Sequence, residues 1–216
     1  MIKAKKSLGQ NFLIDENILE KIVSCTNIEN KCILEVGPGT GNLTSYIIRQ
    51  KPKKVIVIEK DYNLAQHLKD TFKNKINIIN EDILTIDETL LSEEKLTVFG
   101  NLPYNISTEI LSKWILSLKD SFWFDHLLLM FQKEVAERII AKFNSSNYGR
   151  LSILSNWKLK IKKICDIKPN SFSPKPKVMS SLLIFTPKNN FHKINPKNLE
   201  TITRTFFNQR RKMLKK

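Results

Sequence analysis

Two short apolar runs constrain the fold of this chain more than any other feature of its sequence. The runs KCILEVG (31–37) and KVIVIE (54–59) are continuous and rich in β-branched residues, as strands buried on both faces are. A stretch of helix length, NLTSYIIRQKP (42–52), separates them. Because strands that alternate with helices build a parallel sheet, the sequence predicts an α/β fold.

The rest of the chain continues this alternation. Asp15 is placed to cap a first helix. Apolar periodicity predicts further helices at 62–72, in STEILSKWILSL (107–118) and around 134–143. Further strands are predicted at INII (76–79), KLTVFG (95–100) and HLLLMFQ (126–132).

The last third of the chain gives three further predictions. LSILSNWKLKI (151–161) places apolar residues at every second position, which indicates a strand. VMSSLLIF (178–185) is apolar on both faces, so we expect it to close the sheet as an inserted and covered strand. From Asn195, with Pro196 suited to a first helical turn, a basic helix is predicted to run to the end.

The net charge of the chain indicates which class of partner it binds. Lys and Arg number 36 against 21 acidic residues, a formal net charge of +15, and they concentrate in the first 11 residues, in 158–177 and in 188–216. This favours nucleic acid or an anionic surface as the partner, although a solvated, lysine-rich surface is the alternative. No apolar run approaches the length of a membrane span and no secretion signal is present, so we expect a soluble, cytoplasmic protein.

Cysteine and histidine usage bears on metals and on redox state. The three cysteines show no CxxC spacing, and no histidine lies at ligand spacing from another His or Cys. We therefore expect reduced thiols and no metal site.

A glycine-rich turn follows the first apolar run. EVGPGTG places Gly37 and Gly39 between a strand and a helix, where a backbone without Cβ can approach a ligand. Glu59 ends the next strand, where it can accept hydrogen bonds from ribose hydroxyls. After the third strand, Asp82 can accept from an adenine amine, with Ile83 as an apolar wall. The alternative is that these acids are merely exposed at strand ends, but their combination predicts a nucleoside-containing cofactor.

A fourth strand runs into NLPY, which suits the chemistry of an adenine amine. The lone pair of adenine N6 is delocalised, so the amine needs acceptors for its two protons. Asn101 Oδ1 and the carbonyl of Leu102 can supply them, and Pro103 biases the preceding residue to an extended shape. Tyr104 offers a face for stacking, and Phe172 in NSFSPKPKVMSS can close over the other face. The alternatives are a simple turn for NLPY and ordinary packing for Phe172.

Taken together, these motifs resemble the ribosomal-RNA adenine N6,N6-dimethyltransferase family. LGQNFL, EVGPGTGNLT, NLPYNIST, FQKEVAERI, YGRLS and SFSPKPKVMSS occur in that order over nearly the whole chain. The resemblance implies a Rossmann-like methyltransferase sheet with an antiparallel last strand, and S-adenosylmethionine as the cofactor. It implies cofactor contacts at Asn11, Leu13, Gly37, Glu59, Asp82 and Asn101. It also implies that residues 101–104, with Phe172 opposite, hold the adenine.

The resemblance also implies a substrate and a domain plan. LGQNFL and FQKEVAERI look like the small-subunit (16S) branch, which dimethylates two adjacent adenosines near the RNA 3′ end, and we expect a monomer acting on a pre-ribosomal particle. One alternative is a large-subunit (23S) resistance methylase. The other is a non-catalytic nucleic-acid binder, and the intact NLPY argues against that one. The expected parts are a basic arm (1–14), a catalytic domain (15–187) and the start of a shortened basic helical domain (188–216).

Overall fold

A seven-stranded sheet forms the centre of this computed structural model, which describes residues 4–5, 8–118 and 121–208. The strands are β1 (Phe12–Leu13), β2 (Cys32–Val36), β3 (Lys54–Ile58), β4 (Asn77–Ile79), β5 (Leu96–Gly100), β6 (Phe124–Gln132), β7 (Leu159–Ile167), β8 (Phe172–Ser173) and β9 (Ser180–Pro187). In the main sheet they lie in the order β4-β3-β2-β5-β6-β9-β7, and β1 pairs separately with β8.

Strand direction confirms the predicted fold class. Strands β2 to β6 pair in parallel, whereas β9 is antiparallel to both of its neighbours, β6 and β7. Because β9 lies between these two strands, the prediction that it is inserted and covered is confirmed. Strand β9 is also the last strand of the sheet in sequence, and β7 rather than β9 forms the edge.

Helices connect the strands as the sequence predicts, with one exception. They are α1 (Glu16–Val23), α2 (Asn42–Arg49), α3 (Tyr62–Phe72), α4 (Ser107–Ser117), α5 (Lys133–Ile139), α6 (Arg150–Lys158) and α7 (Pro196–Asn208). Asp15 caps α1, because its Oδ1 accepts the N–H of Ile18 at 3.3 Å. Helix α5 ends four residues earlier than position 143.

The exception is the segment LSILSNWKLKI, where the predicted strand is wrong for residues 151–158. These residues belong to α6, and β7 begins only at Leu159. The buried face of α6 includes Leu154 and the small Ser152 and Ser155, and the helix packs against α4, α5 and α7. Local spacing fits both structures, so this tertiary packing decides between them.

Apolar side chains form two clusters on the two faces of the sheet. Successive residues of one strand point to opposite faces, so Ile33 and Leu34 of β2 belong to different clusters. Trp114 is in the cluster of Leu34, and Phe172 is in the cluster of Ile33. Within the described part of the chain, no helix is long and apolar enough to cross a membrane.

The C-terminal helix α7 packs on α6 and α4. Arg150 of α6 and Glu200 of α7 form an ion pair at 3.1 Å. The division into an arm, a catalytic domain and a C-terminal part stays a prediction. The basic residues predicted to end the last helix, including Arg210, Arg211 and Lys212, lie outside the described residues.

Candidate active site

A cavity of about 250 Å³ lies at the carboxyl ends of the parallel strands β2, β3 and β5. This edge of an open α/β sheet is where such folds bind ligands. The cavity brings together all of the predicted site residues except Leu13 and Phe172. Those that line it are Asn11, Gly37, Gly39, Glu59, Asp82, Ile83, Asn101, Leu102, Pro103 and Tyr104.

The glycine turn forms the floor beside the N-terminal arm. Gly37 and Gly39 have φ angles of +69° and +59°, a region that favours glycine. A Cβ on Gly39 would lie 2.6 Å from Cδ1 of Phe12, so the turn needs glycine to pack against the arm. The N–H of Gly39 donates to Glu59 Oε2 at 3.2 Å, which joins this turn to the end of β3.

Glu59 is a buried carboxylate at the wall of the cavity. Its side chain accepts two backbone N–H groups, from Gly39 and from Asp61 at 2.9 Å, and the residue is 7% exposed. Burial raises the pKa of Glu59, and the two backbone hydrogen bonds oppose this rise. A carboxylate has about four acceptor positions, so Glu59 keeps capacity for ligand hydroxyls.

Asp82 is held in place from two sides. Its Oδ2 accepts Lys60 Nζ at 2.7 Å, and its Oδ1 accepts the N–H of Leu84 at 3.0 Å. These hydrogen bonds lower the pKa of Asp82, so the side chain is an ionised acceptor at neutral pH. Ile83 next to it is 5% exposed and provides an apolar wall.

The loop of residues 101–104 presents an oriented amide and a phenol. Asn101 Nδ2 donates to the backbone carbonyl of Asn11 at 2.7 Å, which assigns the amide and leaves Oδ1 as its acceptor. Tyr104 shares a hydrogen bond between its hydroxyl and Ser180 Oγ, and burial raises the pKa of this phenol. Ser107, at the start of α4, donates from Oγ to the Tyr104 carbonyl at 3.2 Å.

Sequence reasoning missed the residues that fasten the arm over the cavity. Asp61 accepts Lys5 Nζ at 3.0 Å and Gln10 Nε2 at 3.2 Å, and it also caps α3 through the N–H of Asn63. Burial acts to raise the pKa of Asp61, but these hydrogen bonds outweigh it and lower the pKa. The capping role has a local signal, whereas a contact with a residue 56 positions earlier has none.

Leu13 and Phe172 depart from their predicted positions at the site. Strand β1 pairs with β8 so that Leu13 lies opposite Phe172, and the two residues are 4% and 1% exposed. Both belong to a buried cluster with Ile167 and Leu182, and neither lines the cavity. The pairing of the two short strands turns these apolar side chains into the core rather than towards a ligand.

The residues that meet at the cavity fit a nucleoside better than a metal. The lining combines acceptors from Glu59 and Asp82 with the apolar side chains of Ile58, Leu64 and Ile83. Such a surface suits a ribose and a planar base. Within the described residues, no group of three or more His, Cys, Asp or Glu is placed to hold a metal ion.

Comparison with known proteins gives matches along the whole chain. The family model described as "Ribosomal RNA adenine dimethylase" matches residues 1–216. The "Ribosomal RNA small subunit methyltransferase A" of Pelagibacter ubique is 69% identical over 216 residues, which are 100% of this chain and 82% of that protein.

Solved structures show the same likeness. A dimethyladenosine transferase from Plasmodium falciparum has a TM-score of 0.81 and 32% identity, over 94% of this chain and 73% of that chain. The 23S rRNA methyltransferase ErmE has a TM-score of 0.74 at 22% identity, over 92% of this chain and 80% of that chain. At that identity the likeness to ErmE concerns the fold.

Proposed function

Because this chain belongs to the ribosomal RNA adenine dimethylase family, we propose that it uses S-adenosylmethionine to dimethylate N6 of two adjacent adenosines near the 3′ end of small-subunit (16S) ribosomal RNA. The observation that carries the proposal is one cavity in which the loop of residues 101–104 meets Glu59 and Asp82. The 69% identical relative is named for the small subunit, which favours this substrate over 23S RNA.

The cofactor supplies an activated methyl group when it is bound. Glu59 would accept hydrogen bonds from the ribose hydroxyls, and Asp82 would accept from the adenine amine with Ile83 against the ring. Asn11 and the glycine turn enclose the remaining part of the cavity. Leu13 would act only through the arm, because its carbonyl accepts Asn42 Nδ2 at 2.7 Å while its side chain is in the core.

The loop of residues 101–104 would orient the target amine. Asn101 Oδ1 and the Leu102 carbonyl accept its two protons, which directs the nitrogen lone pair away from the ring and towards the methyl group. These acceptors also stabilise the positive charge that develops on nitrogen as the new bond forms. After the first transfer the methylated nitrogen releases one proton to solvent and keeps the other, so one of the same acceptors can hold the remaining proton during the second transfer.

The target base must leave its stack to reach this loop. The ring of Tyr104 would then stack on one face of the base. The matching role of Phe172 on the other face stays a prediction, and it would require a shift of the β1–β8 pair, since the ring is 1% exposed. We further infer that the substrate is the RNA of a cytoplasmic pre-ribosomal particle. We also infer that the protein acts on this particle as a monomer.

Mapping the labelled nucleotide tests the proposal. We expect methyl-labelled cofactor and undermethylated small subunits to give label on two adjacent adenosines near the 3′ end, and large subunits to give none. Label in 23S RNA would support the resistance-methylase alternative. RNA binding without any transfer would support the non-catalytic alternative.

Removing either acid should weaken cofactor binding. We expect Glu59→Ala and Asp82→Ala each to weaken the free energy of cofactor binding by about 1 to 3 kcal/mol, because each removes hydrogen bonds that involve a charged group. Calorimetry in the absence of RNA measures the loss. Glu94→Ala is the matched control, since Glu94 pairs with Lys53 away from the cavity. Unchanged affinity in both site variants would refute the assignment.

A further inference from the structure

The ammonium group of Lys113, on α4, donates all of its hydrogen bonds to the segment that forms the cofactor side of the cavity. Its Nζ donates to the Ile83 carbonyl at 2.9 Å, to Glu88 Oε1 at 2.8 Å and to the carbonyl of Ile86. A lysine ammonium has three donors, so all of them are used. The Glu88 side chain is 4% exposed and also accepts Trp114 Nε1 at 2.7 Å. The Lys113 side chain is 27% exposed, so this is a partly buried network around a buried carboxylate rather than a surface ion pair.

The segment that receives these bonds lies between β4 and β5 and supplies one wall of the cavity. Asp82, Ile83 and Leu84 line the cavity, and no strand of the described sheets includes them. Within the segment, Thr85 N–H donates to the Asp82 carbonyl at 2.9 Å. The carbonyls of residues 83 and 86 instead find their donor in Lys113. Backbone carbonyls away from water need such a partner, so the position of the wall depends on this side chain.

Helix α4 also supports the loop that would hold the target base. It begins at Ser107, three residues after Tyr104, and Ser107 bonds the Tyr104 carbonyl. The N–H of Ile106 donates to the Pro103 carbonyl at 3.1 Å. One rigid helix therefore carries the base-binding loop at its start and, through Lys113, the cofactor wall nearer its end.

We propose that Lys113 is a positioning residue, which holds the Asp82–Leu84 wall against α4 and thereby sets cofactor affinity without touching the cofactor. This rests on the proposed function, because it takes S-adenosylmethionine as the ligand of the cavity. The ammonium also acts at a distance on Asp82, whose low pKa it helps to maintain after the larger effect of Lys60.

The test uses Lys113→Met, which keeps the apolar stem and removes the ammonium. We expect the cofactor dissociation constant to rise about tenfold, because the Asp82–Leu84 wall loses the Lys113 hydrogen bonds that hold it against α4. Methyl transfer at saturating cofactor should stay within about twofold, because the loop acceptors are intact. In the cofactor-free protein, the amides of Leu84 and Thr85 should exchange with solvent about tenfold faster, since local opening of the wall becomes easier.

Three companion variants separate positioning from general support. Lys113→Arg keeps the charge and should recover most of the affinity. Lys31→Met is the control, because the Lys31 side chain is about as exposed as that of Lys113, is paired with Asp125 and does not line the cavity. Lys113→Met alone leaves the buried Glu88 carboxylate without its cationic partner, which should lower thermal stability. Lys113→Met combined with Glu88→Gln removes that charge. This double variant should regain thermal stability while cofactor binding stays weak.

Each outcome decides the proposal. The positioning role is overturned if folded Lys113→Met shows unchanged cofactor affinity and unchanged amide exchange at Leu84 and Thr85. It is also overturned if Lys31→Met loses as much cofactor affinity as Lys113→Met. In both cases the proposed function still stands. A wild-type chain that binds no cofactor would overturn both. Weak binding that Lys113→Arg restores, together with faster exchange at Leu84, would support it.

Discussion

Asn101→Ala should slow methyl transfer at saturating cofactor by about 100- to 1,000-fold, the range measured when one oriented polar group is removed from a transition-state site. The Asn101 amide is oriented by its bond to the Asn11 carbonyl at 2.7 Å, so its Oδ1 is presented as an acceptor without reorganisation. Because the target amine gains charge only as the methyl group is transferred, RNA binding should change little. Single-turnover transfer, with RNA binding measured in parallel, checks this expectation.

A control in the same loop distinguishes the amide from general loop damage. Asn105 also lines the cavity but is exposed, and we expect Asn105→Ala to retain transfer within about threefold, as for a surface change. Some loss of cofactor affinity is expected in Asn101→Ala, because the amide also holds the arm at Asn11; saturating cofactor removes that effect. Transfer at near wild-type rate under these conditions would contradict the acceptor role.

The agreement between sequence and structure at this site has a simple physical basis. Glu59, Asp82 and Asn101 each follow a parallel strand, and the carboxyl ends of such strands meet at one edge of the sheet. Apolar patterning is enough to find the strands, so it is also enough to bring these three side chains together. The same argument places Gly37, which follows β2.

The residues that sequence reasoning missed or misplaced depend on contacts between distant segments. Lys113 reaches back 30 residues to Ile83, and Lys5 reaches forward 56 residues to Asp61. Neither lysine differs in its local sequence from one on a solvated surface. Serines on the buried face of α6 likewise read as polar positions until the helix is packed against α4.

Phe172 is the position where the resemblance and the structure differ most, and substitution there should have a large effect on stability. We expect Phe172→Ala to lower the free energy of unfolding by about 3 to 5 kcal/mol, because a fully buried ring leaves a cavity in the core. The ring is 1% exposed and packs in one cluster with Leu13 and Ile167. Urea denaturation measures the change. Phe143→Ala is the control: that ring is 76% exposed, and we expect a loss below about 1 kcal/mol.

Phe172→Leu separates the packing role from base stacking. Leucine fills most of the space with apolar volume, so the free energy of unfolding should fall by less than about 1.5 kcal/mol. It offers no aromatic face, so a stacking role would appear as weaker capture of the flipped base, about 1 to 3 kcal/mol, in a chain that is still folded. A fluorescent adenine analogue at the target position reports that capture. Tyr104→Leu provides the comparison, because Tyr104 lines the cavity. If Phe172→Leu captures the base as well as wild type while Tyr104→Leu does not, Phe172 acts through the core. If Phe172→Ala unfolds as easily as wild type, the packing account is wrong.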